Sequence, residues 1–182
     1  MCWHYGLKLH LDGARIFNAL AETGETTHAV GEQFDSISLC LSKGLGAPVG
    51  SVLIGSEAFV KQARRIRKVM GGGMRQAGYL AAACIYALDH QVERLKEDNE
   101  RAKQIGAVLE AMPYVSEVRP VQTNILIFDV NPPYTAASFL EKLAEKGIKA
   151  SAFGPQTVRF VTHLDFTEEM LDRVVEALKD ME

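Results

Sequence analysis

Lys43 stands between Ser42 and Gly44, where a strand-like run empties into a glycine-rich turn. Such a turn sets a side chain over a cleft and lets a ligand approach the backbone closely. A lysine held there can form a Schiff base with an aldehyde once burial or a nearby cation lowers its pKa. From the local sequence alone, a solvated turn lysine is the preferred reading. Neither common phosphate loop fits: Gly44-Leu45-Gly46 lacks the third glycine of the dinucleotide fingerprint, and Lys43 precedes the glycines instead of closing a Walker loop.

Asp12 ends another strand-like run, at the edge where α/β sheets bind ligands. A carboxylate at that edge can keep a ring nitrogen protonated, but taken alone Asp12 reads first as the N-cap of the next helix. Arg75 follows the Gly71-Gly72-Gly73 triplet and opens a helical pattern, a place suited to meeting a phosphate. Arg159 lies inside the apolar run Val158-Arg159-Phe160-Val161. If buried, it needs a partner, and a substrate carboxylate or a structural ion pair would serve. Lys61, Arg64, Arg65, Arg67 and Lys68 form a basic run on one helix. None of the five histidines is spaced with another as metal ligands are, so no metal is expected, and His10 and His163 read as structural.

The elements that must carry these residues follow from periodicity. Leu7–Leu11 alternates and predicts a strand, ending at Asp12-Gly13, and 14–22 predicts a helix with Gly24 past its end. Strands are predicted over 36–41 and 51–54, and a helix over 57–70. From Arg75, residues Ala77, Leu80, Ala81, Cys84, Ile85, Leu88, Val92 and Leu95 recur at helical steps and predict one long helix able to bridge two domains. After Pro113 come strands at 124–130, 148–152 and 157–162, with helices at 136–146 and after Thr167. The reading divides the chain into 1–112, part of an α/β layer with the bridging helix, and 113–182, a small α+β domain. So few strands leave an open sheet edge and an uncovered face, so the chain reads as a piece of something larger.

Composition narrows the function classes. With 47% hydrophobic and 24% charged residues over 182 positions, a normal core is available and disorder is excluded. A net charge of −3 argues against a generally basic nucleic-acid-binding surface. No apolar run reaches the ~20 residues of a membrane span, and the first residues show no secretory pattern, so a cytoplasmic location is expected, with no membrane partner. Cys2, Cys40 and Cys84 are odd in number and far apart, which disfavours disulfides and zinc, and Cys40 and Cys84 read as buried.

Taken in order, the strings His10-Leu11-Asp12-Gly13-Ala14-Arg15, Ser38-Leu39-Cys40-Leu41-Ser42-Lys43-Gly44-Leu45-Gly46-Ala47-Pro48-Val49-Gly50-Ser51, Gly71-Gly72-Gly73-Met74-Arg75-Gln76-Ala77-Gly78 and Thr162-His163-Leu164-Asp165 resemble low-specificity L-threonine aldolase. This is a family of fold type I pyridoxal-phosphate enzymes. The resemblance implies an α/β fold: the C-terminal part of a fold type I large domain, a mixed sheet with helices, plus a small α+β C-terminal domain. It also implies that Lys43 is the Schiff-base lysine, that Asp12 bonds the cofactor's ring nitrogen and that Ala14 lies against the ring. By the same resemblance Arg75, with Lys68 nearby, binds cofactor phosphate, Arg159 holds the substrate carboxylate, and Arg15 points at that carboxylate or at the ring oxygen of the cofactor. The implied reaction is retro-aldol cleavage of L-threonine or L-allo-threonine to glycine and acetaldehyde, in a homo-oligomer with no nucleic-acid partner. Family chains are about twice as long, and their phosphate loop and two site histidines have no counterpart here, so a chain truncated at its N-terminus is expected. Two alternatives stand beside the aldolase: a non-catalytic fragment or oligomerisation remnant, and a related β-eliminating lyase.

Overall fold

A computed structural model of the chain describes residues 2–181. The contacts divide it into two compact units, residues 1–93 and 94–182, and each is described by itself.

The first unit is built on a three-stranded sheet of order β1-β2-β3, with β1 (His10–Gly13), β2 (Ser36–Cys40) and β3 (Ser51–Gly55). β1 and β2 run parallel with Asp12 opposite Ser38, and β3 returns antiparallel with Ser51 opposite Cys40. Parallel neighbours need a crossover, and here it contains two short helices, α1 (Ile16–Thr23) and α2 (Thr27–Gly31). Gly24 stops α1 in the left-handed conformation that glycine adopts without strain. The Thr26 hydroxyl accepts from Ala29 N to cap α2. After β3 come α3 (Glu57–Val69), capped by Ser56, and α4 (Gly78–His90).

The second unit has a four-stranded antiparallel sheet of order β4-β5-β7-β6: β4 (Val115–Val118), β5 (Ile125–Val130), β6 (Ser151–Ala152) and β7 (Thr157–Val161). Its helices are α5 (Leu95–Glu110), α6 (Ala136–Glu145) and α7 (Glu168–Lys179). Leu126, Phe128 and Val130 alternate with Val158 and Phe160 of β7 on one sheet face, all buried. The Phe128 ring meets Phe139 and Phe160 edge-on at 5.7 and 5.1 Å. Leu109, Leu143 and Leu178 from the three helices close the same core. Tyr114, buried in it, donates its hydroxyl to the Leu178 carbonyl at 2.7 Å. Thr135 and Ser138 form a capping box on α6, and Thr167 caps α7 as expected, above Glu168 and Glu169 in the first turn.

Several expectations are corrected. The long helix is two, α4 and α5, separated by Gln91–Arg94. The break puts Glu97 and Asp98 into a first turn, where the helix dipole favours carboxylates, and fully buried Asp98 pairs with Arg94 one turn before it. The first strand begins only at His10, because Leu9 N and the Lys8 ammonium both bind the Asp35 carboxylate. The strand expected at 148–152 is just Ser151–Ala152, while α2 and β4 have no counterpart in the periodicity reading. Cys40 and Cys84 are half-buried, their sulfurs 3.5 Å from Ser42 Oγ and the Val49 carbonyl.

Candidate active site

Asp12 and Lys43 leave adjacent parallel strands at the same carboxyl-end edge of the sheet. That edge is where open α/β sheets receive ligands. The close pairing of β1 and β2 depends on Gly13, which is buried: a Cβ there would lie 2.9 Å from the Ser38 carbonyl oxygen. The Asp12 carboxylate is exposed and accepts from Ala14 N at 3.1 Å through Oδ1. It does not cap α1, whose N-cap is Arg15 without a side-chain cap bond, so the capping alternative fails. Asp12 instead braces the turn that carries Ala14 and Arg15, both half-buried.

Lys43 sits at the head of a loop folded back on itself. Leu41 N donates to the Gly50 carbonyl, Ala47 N to the Leu41 carbonyl, and Gly46 N to the Lys43 carbonyl, at 2.9 to 3.0 Å. Gly46 and Gly50 take positive φ of 70° and 118°, which makes glycine the natural residue at these two corners. Leu41, Leu45 and Ala47 are buried while Lys43 is exposed, so three apolar anchors fix the loop and leave the amine presented to solvent.

Cys40, Ser42 and Ser51 form a polar cluster beside Lys43 that the sequence reading missed. Burial acts to raise the Cys40 thiol pKa. Hydrogen bonds from Ser42 (side chain and backbone) and Ser51, with the Lys43 charge, outweigh it, and the thiol lies below its ordinary value. The signal available was the antiparallel return of the third strand, which sets Ser51 across from Cys40.

The arginines are placed differently from expectation. Arg75 does not open α4: it is exposed in the bend after the triple glycine, with Gln76 at φ 51° between it and the helix. Lys68 is exposed in the last turn of α3. Arg159, in the second unit, is half-exposed rather than buried, because strand alternation turns it to the face opposite Val158 and Phe160. Its guanidinium carbon lies 5.9 Å from the centre of the Phe153 ring. His10 Nδ1 is 2.8 Å from Ser36 Oγ, and His163 Nδ1 accepts from Asp165 N at 3.3 Å. Among the described residues no group of three or more potential ligands could hold a metal, and no helix is long and apolar enough to cross a membrane.

The fold is that of fold type I pyridoxal-phosphate enzymes. A crystal structure from Exiguobacterium sp. 255-15, named provisionally as an aromatic amino acid beta-eliminating lyase/threonine aldolase, superposes with a TM-score of 0.77 at 25% identity, over 97% of this chain and 54% of that one. The ornithine aminotransferase of Toxoplasma gondii shares the fold at a TM-score of 0.67 and 18% identity, over 97% of this chain and 43% of its own. The chain belongs to the beta-eliminating lyase family, whose model matches residues 1–132. It is 44% identical over 168 residues to the low specificity L-threonine aldolase of Escherichia coli K12, covering 92% of this chain and 49% of that protein. It is 40% identical over 166 residues to low-specificity L-threonine aldolase 1 of Arabidopsis thaliana, covering 90% and 46%. The chain thus spans about half the length of the curated relatives it matches.

Proposed function

We propose that this chain carries the lysine-bearing part of a pyridoxal-phosphate-dependent carbon–carbon lyase, cleaving L-threonine or L-allo-threonine to glycine and acetaldehyde. The observation that carries the reading is the shared edge: an amine on a glycine-cornered loop and a carboxylate at the end of the adjacent parallel strand. The donor set suits the cofactor, with an amine for its aldehyde, an anion for its ring nitrogen and a cation for its phosphate.

In this reading Lys43 presents the amine that holds the cofactor. Asp12, braced through one oxygen by Ala14 N, keeps the ring nitrogen protonated. Ala14 follows it in the turn, where its small side chain leaves room for a planar ring. Arg75, with Lys68, pairs with the phosphate. Arg15 and Arg159 hold the substrate carboxylate, and fixing that group orients the bond to be broken. Pyridoxal phosphate, when bound, supplies the electron sink for the carbanion left by carbon–carbon cleavage. The domain reading, 1–112 and 113–182, a cytoplasmic location and a homo-oligomeric assembly belong to the same proposal. The exposed apolar residues of β3, α3 and α4 support the assembly.

Titrating the purified chain with pyridoxal phosphate, then reducing with borohydride and mapping peptides, tests the reading. One label per chain on Lys43, followed by glycine formation from L-threonine, is the expected outcome. Labelling scattered over several lysines would sink it. A second reading, β-elimination, is favoured by the description of the matched family itself. Pyruvate instead of glycine from a β-substituted amino acid separates the two. A third, that the chain alone is a non-catalytic fragment, draws on its covering about half of its relatives. Specific Lys43 labelling without turnover would be its signature.

A further inference from the structure

The second unit holds a small cleft that the proposed chemistry does not use. It has a volume of about 190 Å³, between the turn that follows α6 and the outer face of α7. Its floor is apolar: Ile148, Phe166 and Val174 are continuous with the core, and Met170 stands at the side with 46% of its surface exposed. Two cations stand at its rim, Lys149 and Arg173. Gly147, at φ 77°, turns the chain tightly there, and a Cβ on it would lie 4.0 Å from Arg173 Nη2, which sets the guanidinium over the turn.

Neither cation has an acidic partner among the described residues. Arg173 is flanked along α7 by Glu169, Asp172 and Glu176, and it pairs with none of them. Asp180 lies 3.6 Å from Lys146 and is engaged there. Two like charges beside an apolar floor suit an anion with an apolar body. The volume is below the usual range for drug-sized ligands, so the occupant is small.

We propose that this cleft is a binding site for a small apolar monocarboxylate, the carboxylate held by Arg173 and Lys149 and the hydrocarbon lying on Ile148, Phe166, Met170 and Val174. The inference is independent of the Lys43 site and stands or falls without it.

The test uses the purified chain with carbon-13 methyl-labelled methionine, assigned by the loss of one signal in Met170→Leu. The probes are 4-methylpentanoate and its uncharged isostere 4-methylpentanamide. Saturable movement of the Met170 methyl signal by the acid, with an affinity of about millimolar as expected for so few contacting atoms, is the expected result. The amide leaves the signal still. Arg173→Gln and Lys149→Gln, both at exposed positions, should each weaken the acid about tenfold, the usual worth of a charge-assisted hydrogen bond. Arg119→Gln, at an exposed position outside the cleft, should not weaken it. Equal shifts from acid and amide, no saturation, or full affinity in Arg173→Gln would each overturn the proposal. If a variant fails to fold, the acid–amide comparison on the unaltered chain decides alone.

Discussion

The two units of this chain satisfy the same physics to different degrees. In the second, one sheet face and all three helices converge on one core, and Leu126, Phe128, Phe139, Leu143, Val158 and Leu178 are fully buried. In the first, Val30, Ile37, Leu41, Leu45, Ala47 and Ala87 are the buried apolar residues among those described, while Val52, Leu53 and Ile54 of β3 are more than a third exposed on both faces. Val69, Met70, Tyr79, Ile85 and Tyr86 are more than half exposed as well. A strand that is apolar on both faces belongs inside a sheet covered on both sides. The unit that holds most of the candidate site residues is therefore the one with the larger exposed apolar surface, and the unit with the closed core carries only Arg159 of them. The lesson is that a local arrangement, a parallel strand pair and a hydrogen-bonded loop, can be well formed where the surrounding packing is open.

The contrast breaks most visibly at Phe139. Truncating it to alanine empties the middle of a ring cluster and should cost about 4 kcal/mol, read as a lower urea midpoint for the second unit. A cost below about 1 kcal/mol would mean that this core is looser than its burial indicates. Gly13→Ala probes the first unit at its tightest point. The new methyl group meets backbone rather than a yielding side chain, so the expected loss is about 1–3 kcal/mol. If the shared edge is the site, specific labelling of Lys43 by pyridoxal phosphate should fall in the same variant. Retained stability with lost labelling would sharpen the case, and the reverse would count against it.

Much of this was legible in the residues. Strand and helix periods located most elements to within a few positions, and the αL glycine at 24 and the cap at Thr167 sit where the pattern puts them. Family membership and fold were readable from four strings. What escaped depended on partners distant in sequence. Lys8 and Leu9 alternate like a strand, yet both bind Asp35, which is 26 residues beyond Leu9. The stripe from Ala77 to Leu95 is continuous in period, yet the helix breaks at Gln91–Arg94, which the spacing of apolar residues does not show. The apolar run around Arg159 does not show which strand face meets the core, so its half-exposed position had to come from the structure. At the candidate site, Asp12 and Lys43 were visible and the Cys40, Ser42 and Ser51 cluster was not, since only strand pairing brings Ser51 to Cys40.

Alkaline pH offers a measurement confined to the packed unit. Burial, with a smaller contribution from Tyr134, raises the Tyr114 phenol far above its ordinary value, while its hydroxyl donates to Leu178 O. A raised folded-state pKa stabilises fully below the unfolded value near 10, and that stabilisation is lost as pH climbs from there toward the folded pKa. One tyrosine should therefore resist ionisation, followed by ultraviolet absorbance, until the second unit opens. Tyr114→Phe removes a buried hydrogen bond and leaves the Leu178 carbonyl without it, for an expected cost of about 1 kcal/mol. Ordinary titration of all five tyrosines in the folded chain would contradict the closed core.

The smallest effect is expected at Ile54, and it is the most discriminating for the comparison. With 44% of its surface open, Ile54→Thr keeps the branched shape and β propensity and should shift stability by no more than about 0.5 kcal/mol in dilute solution. The same measurement at high protein concentration asks a different question. If a second copy covers β3, unfolding becomes concentration-dependent and the Ile54→Thr penalty grows with concentration, because the residue is then buried at an interface. If the penalty stays small at every concentration, the apolar face is open in the chain by itself. The difference between the two units then reflects protein that this polypeptide does not contribute.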